Sequence, residues 1–321
     1  MIKTDESQPF GGFAIPKRYK QNFALCVISL WFLGKSWQII YSLLAEREWH
    51  YLDAPMVGSY YHPMNELDLN STYYMGSVSE IGDRNQLIDL MDFDFLINDA
   101  ATKLNSSDIF LLAMVHSSPN HVNQRIMIRN SWGEHIKVIF LVGLTNEECQ
   151  TQLENENLLF QDIVQGRFID SYENLTYKNV MGLKWITYYR PPSLKYVLKT
   201  DDDVMVNTKN LFDFMDVRLS KFGTQRLVVC SLNLHPSVKR TYRSKWRISP
   251  KLYSKRYFPN YCKGYAVLYS IDVVILLYRK AQSSFYLWID DVLVTGILLE
   301  KLNITQVDFL AHKSLWELLT P

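Results

Sequence analysis

From Ile109 onward the chain alternates between short, wholly apolar runs and longer segments whose apolar positions recur at helical spacing. Ile109 to Val115 is a continuous apolar run, as expected of a strand buried on both faces. Val138 to Val142 is a second, closed by Gly143; Tyr196 to Leu198, Leu227 to Cys230 and Val267 to Tyr269 follow, and Val307 to Leu310, broken by Asp308, reads as the last strand. Helix signals fill the gaps. Ser118-Pro119 offers an N-cap and an N1 proline for a helix carrying Arg125 and Arg129. Thr145 with Glu148 makes a capping box. Asp170 with Glu173 opens a helix in which Tyr172, Leu175, Asn179, Gly182, Leu183 and Ile186 share a face, stopped by Pro191-Pro192. Asn207 or Thr208 caps the next helix; others follow Ser270 and run from Asp291 to Leu302. This alternation predicts an α/β fold around a mostly parallel central sheet.

Upstream the pattern changes twice. Phe23 to Leu33 is almost wholly apolar, Lys35-Ser36-Trp37-Gln38 interrupts and Ile39 to Leu44 resumes, a length that fits a bilayer. Lys17, Arg18 and Lys20 precede this segment, so the positive-inside rule predicts a cytoplasmic tail over 1–21, a signal-anchor helix over 22–44 and a lumenal remainder. Residues 45–107 mix Tyr, Asn, Ser and acids without a sustained period and read as a stem, partly ordered near Leu87 to Ile97. Residues 108–321 then read as the folded domain, long enough for one large core.

Composition narrows the partners. A formal net charge of +1 leaves no global basic field for a nucleic acid. Four acceptor sequons, at Asn70, Asn105, Asn174 and Asn303, agree with a lumenal address. Cys149, Cys230 and Cys262 follow the anchor, and three cysteines allow at most one internal bridge. Either Cys230 pairs with Cys262 or all three are buried thiols.

Two acidic groups carry the chemistry. Asp201-Asp202-Asp203 follows a core strand directly, at the carboxyl end where open α/β sheets bind ligands. Adjacent carboxylates repel one another, so they persist in solvent or around a cation, and oxygen ligands suit Mg²⁺ or Mn²⁺ bridging to phosphate. Asp290-Asp291 stands between Tyr286-Leu287-Trp288-Ile289 and Val292-Leu293-Val294, where apolar surroundings raise a carboxylate toward the range of a general base. The same pair also reads as a helix N-cap. Arg125 and Arg129, four apart, share a helix face from which either fits a diphosphate or a carboxylate, or makes a surface salt bridge. His312 follows the last strand and is a candidate metal ligand. Trp246, Tyr257, Tyr261 and Trp288 offer aromatic faces that either stack on a ligand or belong to the core. There is no P-loop, G-x-G-x-x-G, G-x-S-x-G or H-E-x-x-H.

The ordered set of motifs resembles the β-1,3-galactosyltransferase family, which includes β-1,3-N-acetylglucosaminyltransferases. The blocks are Arg129-Asn130-Ser131-Trp132-Gly133, Phe140-Leu141-Val142-Gly143, Phe168 to Lys178, Trp185, Lys199-Thr200-Asp201-Asp202-Asp203-Val204, Lys245-Trp246, Tyr257 to Gly264, and Asp290-Asp291-Val292. The resemblance implies a GT-A fold and an inverting transfer from a UDP-sugar to a glycan of a glycoprotein or glycolipid, on the lumenal face of the Golgi membrane. It implies Mn²⁺ or Mg²⁺ on the diphosphate, with Asp201, Asp203 and His312 as metal ligands and Asp203 the direct one. Lys199, Asp202 and Arg129 then serve the nucleotide, Trp246, Tyr261, Gly264 and Trp288 the substrates, and Asp291 is the base beside Asp290. Galactose is the expected sugar and N-acetylglucosamine the alternative; a homodimer is compatible with this reading. Asp290 stands where the family has glutamate, and Tyr188-Tyr189-Arg190 where it often has a cysteine. Outside this family, a glycoside hydrolase gives the aspartate triplet no role, and an inactive lectin-like or escort protein gives none to either acidic motif.

Overall fold

The computed structural model describes residues 85–104, 108–222 and 225–309. The expected tail and anchor, most of the stem, Asn70, Asn105 and His312 lie outside them. Among the described residues no helix is long and apolar enough to cross a membrane. They form one sheet of eight strands: β1 (Phe95–Ile97), β2 (Leu111–His116), β3 (Lys137–Leu144), β4 (Ile163–Ile169), β5 (Tyr196–Asp201), β6 (Val228–Asn233), β7 (Tyr261–Ser270) and β8 (Val307–Asp308). Their order is β1-β4-β3-β2-β5-β7-β6-β8. β4, β3, β2 and β5 run parallel. β7 is antiparallel to both β5 and β6, and β1 is antiparallel to β4. β8 is parallel to β6, so β2, β3, β4, β5, β6 and β8 all point one way and only β1 and β7 run against them: the sheet is mixed but mostly parallel, as expected.

Alternation along the central strands builds two cores. Leu112, Met114, Ile139 and Leu141 face one side, against α4 (Leu175–Tyr189) and α6 (Ile271–Gln282). Leu111, Ala113, Val115, Val138 and Phe140 face the other, against Ile128 of α2 (Val122–Arg129) and Leu211, Phe214 and Met215 of α5 (Thr208–Phe222). The apolar runs have no polar face because both faces are covered. α4 lies close to the sheet at Gly182, where a Cβ would stand 2.3 Å from the Met114 sulfur and 2.5 Å from a Leu141 methyl.

The folded domain begins before residue 108. Leu87, Ile88 and Phe93 are buried in the core, as are Ala100, Ala101 and Leu104 on α1 (Asp99–Leu104). Trp185 donates to Asn98 Oδ1 at 2.6 Å, and Lys184 to the Gln86 carbonyl at 2.7 Å. The segment from 85 to 104, expected to end a stem, is thus part of the domain. Local starts also differ. α2 begins after His121, with Ser118 accepting a turn hydrogen bond instead of capping a helix. Asn146, one residue past Thr145, caps α3 (Glu147–Phe160).

Candidate active site

The chain passes from β2 outward through β3 and β4, then returns to the opposite side of β2 as β5. Strand order reverses between β2 and β5, and a crevice opens beyond their carboxyl ends at such a switch point. His116 and Asp201 are paired in register there. A cleft of about 620 Å³ follows, with Lys199, Asp201, Asp290 and Asp291 on its floor.

The aspartate triplet divides into three roles. Asp202 Oδ2 accepts from Ser117 Oγ at 2.7 Å and from His121 Nδ1 at 2.8 Å, tying the β5 end to the loop after β2. Arg125 stiffens the same loop from below, donating to Ser117 Oγ and to the carbonyls of Ser118 and Pro119. Asp201 accepts from Lys199 Nζ at 2.9 Å. Asp203 is exposed and pairs with nothing among the described residues. This oxygen-only set, one free carboxylate beside one half-exposed one, fits a hard divalent cation that draws its remaining ligands from phosphate and water. Among the described residues no three acidic, His or Cys side chains converge as a closed metal cage.

The second acidic pair stands at the start of a helical turn, and the chain then widens into a π-helix over Val292–Leu298. Thr295 on that π-helix donates to the Asp291 carbonyl at 2.6 Å and accepts from the Cys262 N–H at 2.9 Å, which locks the turn to β7. Such local insertions recur at functional sites. Asp290 is buried and accepts from Asn179 Nδ2 of α4 at 2.9 Å. Asp291 turns toward the cleft, and Gly264 N–H donates to its Oδ2 at 2.9 Å. Burial, reinforced by repulsion from Asp290, pushes the Asp291 carboxyl up to about 8 against the pull of Lys199. Lys199 is the counter-ion of this group. Burial alone would lower it, but Asp201, Asp290 and Asp291 together hold it above its ordinary value.

A Cβ on Gly264 would stand 2.1 Å from Asp291 Oδ1 and 2.7 Å from its Cγ and Oδ2, too close for the carboxylate to stay where it is. Gly264→Ala is therefore expected to displace the carboxylate and lower kcat by about 10²-fold, since misplacement by about 1 Å carries that cost. The melting temperature of the same variant, measured alongside, separates misplacement from unfolding.

Trp246, Tyr261 and Trp288 line the cleft with Tyr172. Trp246 Nε1 donates to the Tyr172 hydroxyl at 2.9 Å, and the rings of Tyr172 and Trp288 lie 6.0 Å apart. Tyr261 accepts from Asn233 at 2.8 Å. Arg129 is elsewhere. Its guanidinium holds Asp162 through two hydrogen bonds of 2.8 and 2.7 Å, pairs with Glu156 and lies over Phe140 and Phe160. It does not join the acids of the cleft, so the expected diphosphate clamp lacks its arginine. Asn174 donates its amide to the Ile169 carbonyl, and the Thr176 hydroxyl of that sequon is buried against Leu287. Asn303 is exposed, at the end of the last helical turn.

Residues not anticipated from the sequence also shape the floor. Lys178 of α4 is buried, bonded to Asp170 and to the Ser117 carbonyl. His116 is buried with Nε2 unpartnered. Burial, then the charges of Lys199 and Lys178, push it well below its usual value, so the imidazole is neutral. No run of like residues marks either one in the sequence.

Comparisons with known proteins bear on this geometry. The galactosyltransferase family model matches residues 123–309. The chain is 33% identical over 231 residues to β-1,3-galactosyltransferase 1 of Homo sapiens and of Mus musculus, covering 69% of this chain and 69% of each relative. It is 34% identical over 203 residues to β-1,3-galactosyltransferase 5 of Pan paniscus, covering 61% and 66%. Among solved structures, the apo form of the WbbM bifunctional glycosyltransferase aligns with a TM-score of 0.34 and 14% identity over 61% of this chain and 38% of that one. The molecule is a glycosyltransferase built on a mixed α/β fold. The chain belongs to the galactosyltransferase family, as a hexosyltransferase of the β-1,3-galactosyltransferase type.

Proposed function

We propose that the chain transfers galactose from a UDP-sugar to a hydroxyl of a glycan acceptor on a glycoprotein or glycolipid, in β-1,3 linkage, with inversion and with Mn²⁺ or Mg²⁺. The observation that carries this reading is Asp291: a carboxylate of raised basicity, aimed into the cleft and fixed by a backbone N–H. Asp291 Oδ takes the proton of the acceptor hydroxyl as that oxygen bonds to the anomeric carbon, and the bond from that carbon to UDP breaks on the opposite face. Gly264 N–H keeps Asp291 oriented and Lys199 makes its ionised form tolerable, while Asp290, held by Asn179, adds to its basicity. A divalent cation on Asp203 and Asp201, when bound, supplies positive charge to the departing diphosphate. The hollow lined by Ser118, Asn120, Asn146 and Asp170 beyond β2, β3 and β4 suits the nucleoside. The fold is a GT-A-type arrangement on this reading.

The address proposed is a type II Golgi membrane protein with the catalytic domain in the lumen. The apolar segment 22–44 with its preceding cations supports it, as does the Cys230–Cys262 disulfide, which fits an oxidising compartment. The testing experiment incubates the full chain with Mn²⁺, a panel of UDP-sugars and acceptors ending in Gal, GlcNAc or GalNAc. Transfer from UDP-galactose is expected. Transfer from UDP-N-acetylglucosamine alone makes the chain the sister enzyme, and no turnover with any donor defeats the proposal.

A further inference from the structure

Between Lys239 and Lys263 the chain holds nine of its 34 cationic residues and none of its 33 carboxylates, in a protein of net charge +1. Seven of the nine are exposed, Arg240 and Arg247 being half-buried. None forms an ion pair among the described residues. An uncompensated cluster of this kind repels itself, so it stands only where the backbone is held firmly or where an anion arrives. The backbone is held firmly. The Arg240 guanidinium bonds the carbonyls of Ile248, Tyr253 and Lys255 at 2.7–2.8 Å, and Ile248 and Phe258 are buried as anchors. Up to Asn260, just before β7 begins, the segment is a built platform outside the named helices and strands.

The platform meets the acceptor side of the cleft. Lys239 and Lys263 line the same cleft as Asp291, Trp246 and Trp288. Lys245 Nζ lies 4.5 Å from the centre of the Trp246 ring and 5.5 Å from that of Tyr172. Positive charge is thus placed beside aromatic faces, which is the surroundings of a sugar ring that itself carries an anion.

We infer that the acceptor is an anionic glycan, with a sulfate or carboxylate near the accepting sugar, held by Lys239, Lys245 and Lys263 around the Tyr172–Trp246–Trp288 platform. This rests on the glycosyltransferase reading of the cleft and adds the acceptor's charge class.

The test titrates the full chain, without donor, with three oligosaccharides sharing one terminal sugar: neutral, sulfated and uronic-acid-bearing. The expected result is binding of one or both anionic forms about tenfold tighter than the neutral one, a gap that narrows as salt is raised. In the triple variant Lys239→Gln, Lys245→Gln, Lys263→Gln the gap should fall to near parity at an unchanged melting temperature. Which anionic form gains more identifies the group. Equal binding of all three by the parent chain overturns the inference. So does a gap that persists in the variant, or capture by vesicles containing phosphatidylserine with no glycan preference, which makes the patch a membrane surface. Anionic preference without turnover of any UDP-sugar removes the transfer reaction and leaves this inference standing.

Discussion

Asn in place of Asp291 is expected to lower kcat by about 10³-fold, the middle of the range for removing a positioned general base. The substitution is nearly isosteric, and its Oδ1 still accepts from Gly264 N–H, so UDP affinity, measured by titration calorimetry, should change less than about twofold. What is lost is the ability to receive a proton. Robust transfer by Asp291→Asn would end the base assignment. The pH dependence has a definite sign. A base raised to about 8 is mostly protonated at neutral pH, so kcat/KM should climb about tenfold per pH unit below 8 and level off above it. Stability runs the other way. The folded state binds this proton more tightly than the unfolded chain, so the contribution is fully present below the usual carboxylate range and is lost as pH rises through 8. Asp291→Asn should therefore melt higher than the parent at pH 8, with the difference vanishing near pH 4.

The second large effect is expected at Asp203. Asp203→Asn removes the one triplet carboxylate that has no partner among the described residues, and with it a charged ligand of the proposed cation. A loss of about 10²-fold in kcat/KM, partly recovered at high Mn²⁺, matches the several kcal/mol such a ligand supports. Asp202→Asn should lose far less, because an amide oxygen still accepts from Ser117 Oγ. The check is a Mn²⁺ titration of both variants. Full activity in EDTA, or an Asp203 variant as active as the parent, removes the cation from the mechanism.

Much of the parallel run β4-β3-β2-β5 was legible because β2, β3 and β5 are buried on both faces and read as unbroken apolar runs. β4 was not, because Gln165, Gly166 and Arg167 interrupt it. Gln165 is nonetheless fully buried, satisfied by Gln150 and the Gly143 carbonyl, and only tertiary contacts show that. The first half of β7 is hidden for another reason: Lys263, Gly264 and Tyr265 face the cleft and break the pattern. Both acidic groups stood out, since carboxylates next to apolar runs are costly to leave unexplained. Helical spacing put Arg125 and Arg129 on one face, and they do meet at Glu156. Spacing says nothing about what that face looks at, which is why the diphosphate seemed available. Gly264 could be seen in a motif, but its hold on Asp291 exists only across the fold.

Cys230 and Cys262 close a stretch of sequence separation 32 with a single bond at the base of the cationic platform. By loop-closure entropy such a ring stabilises the fold by about 3–4 kcal/mol, and it also fences. Everything between the two cysteines becomes a cassette whose ends are fixed irrespective of its contents. Residues inside can drift, or be exchanged wholesale with those of a relative, without the strands beneath changing register. The aspartate triplet at the end of β5 lies outside the ring, while Lys239, Lys245 and Trp246 of the proposed acceptor face lie within it. Over evolutionary time, the recipient of the sugar can be renegotiated while the reaction is inherited intact.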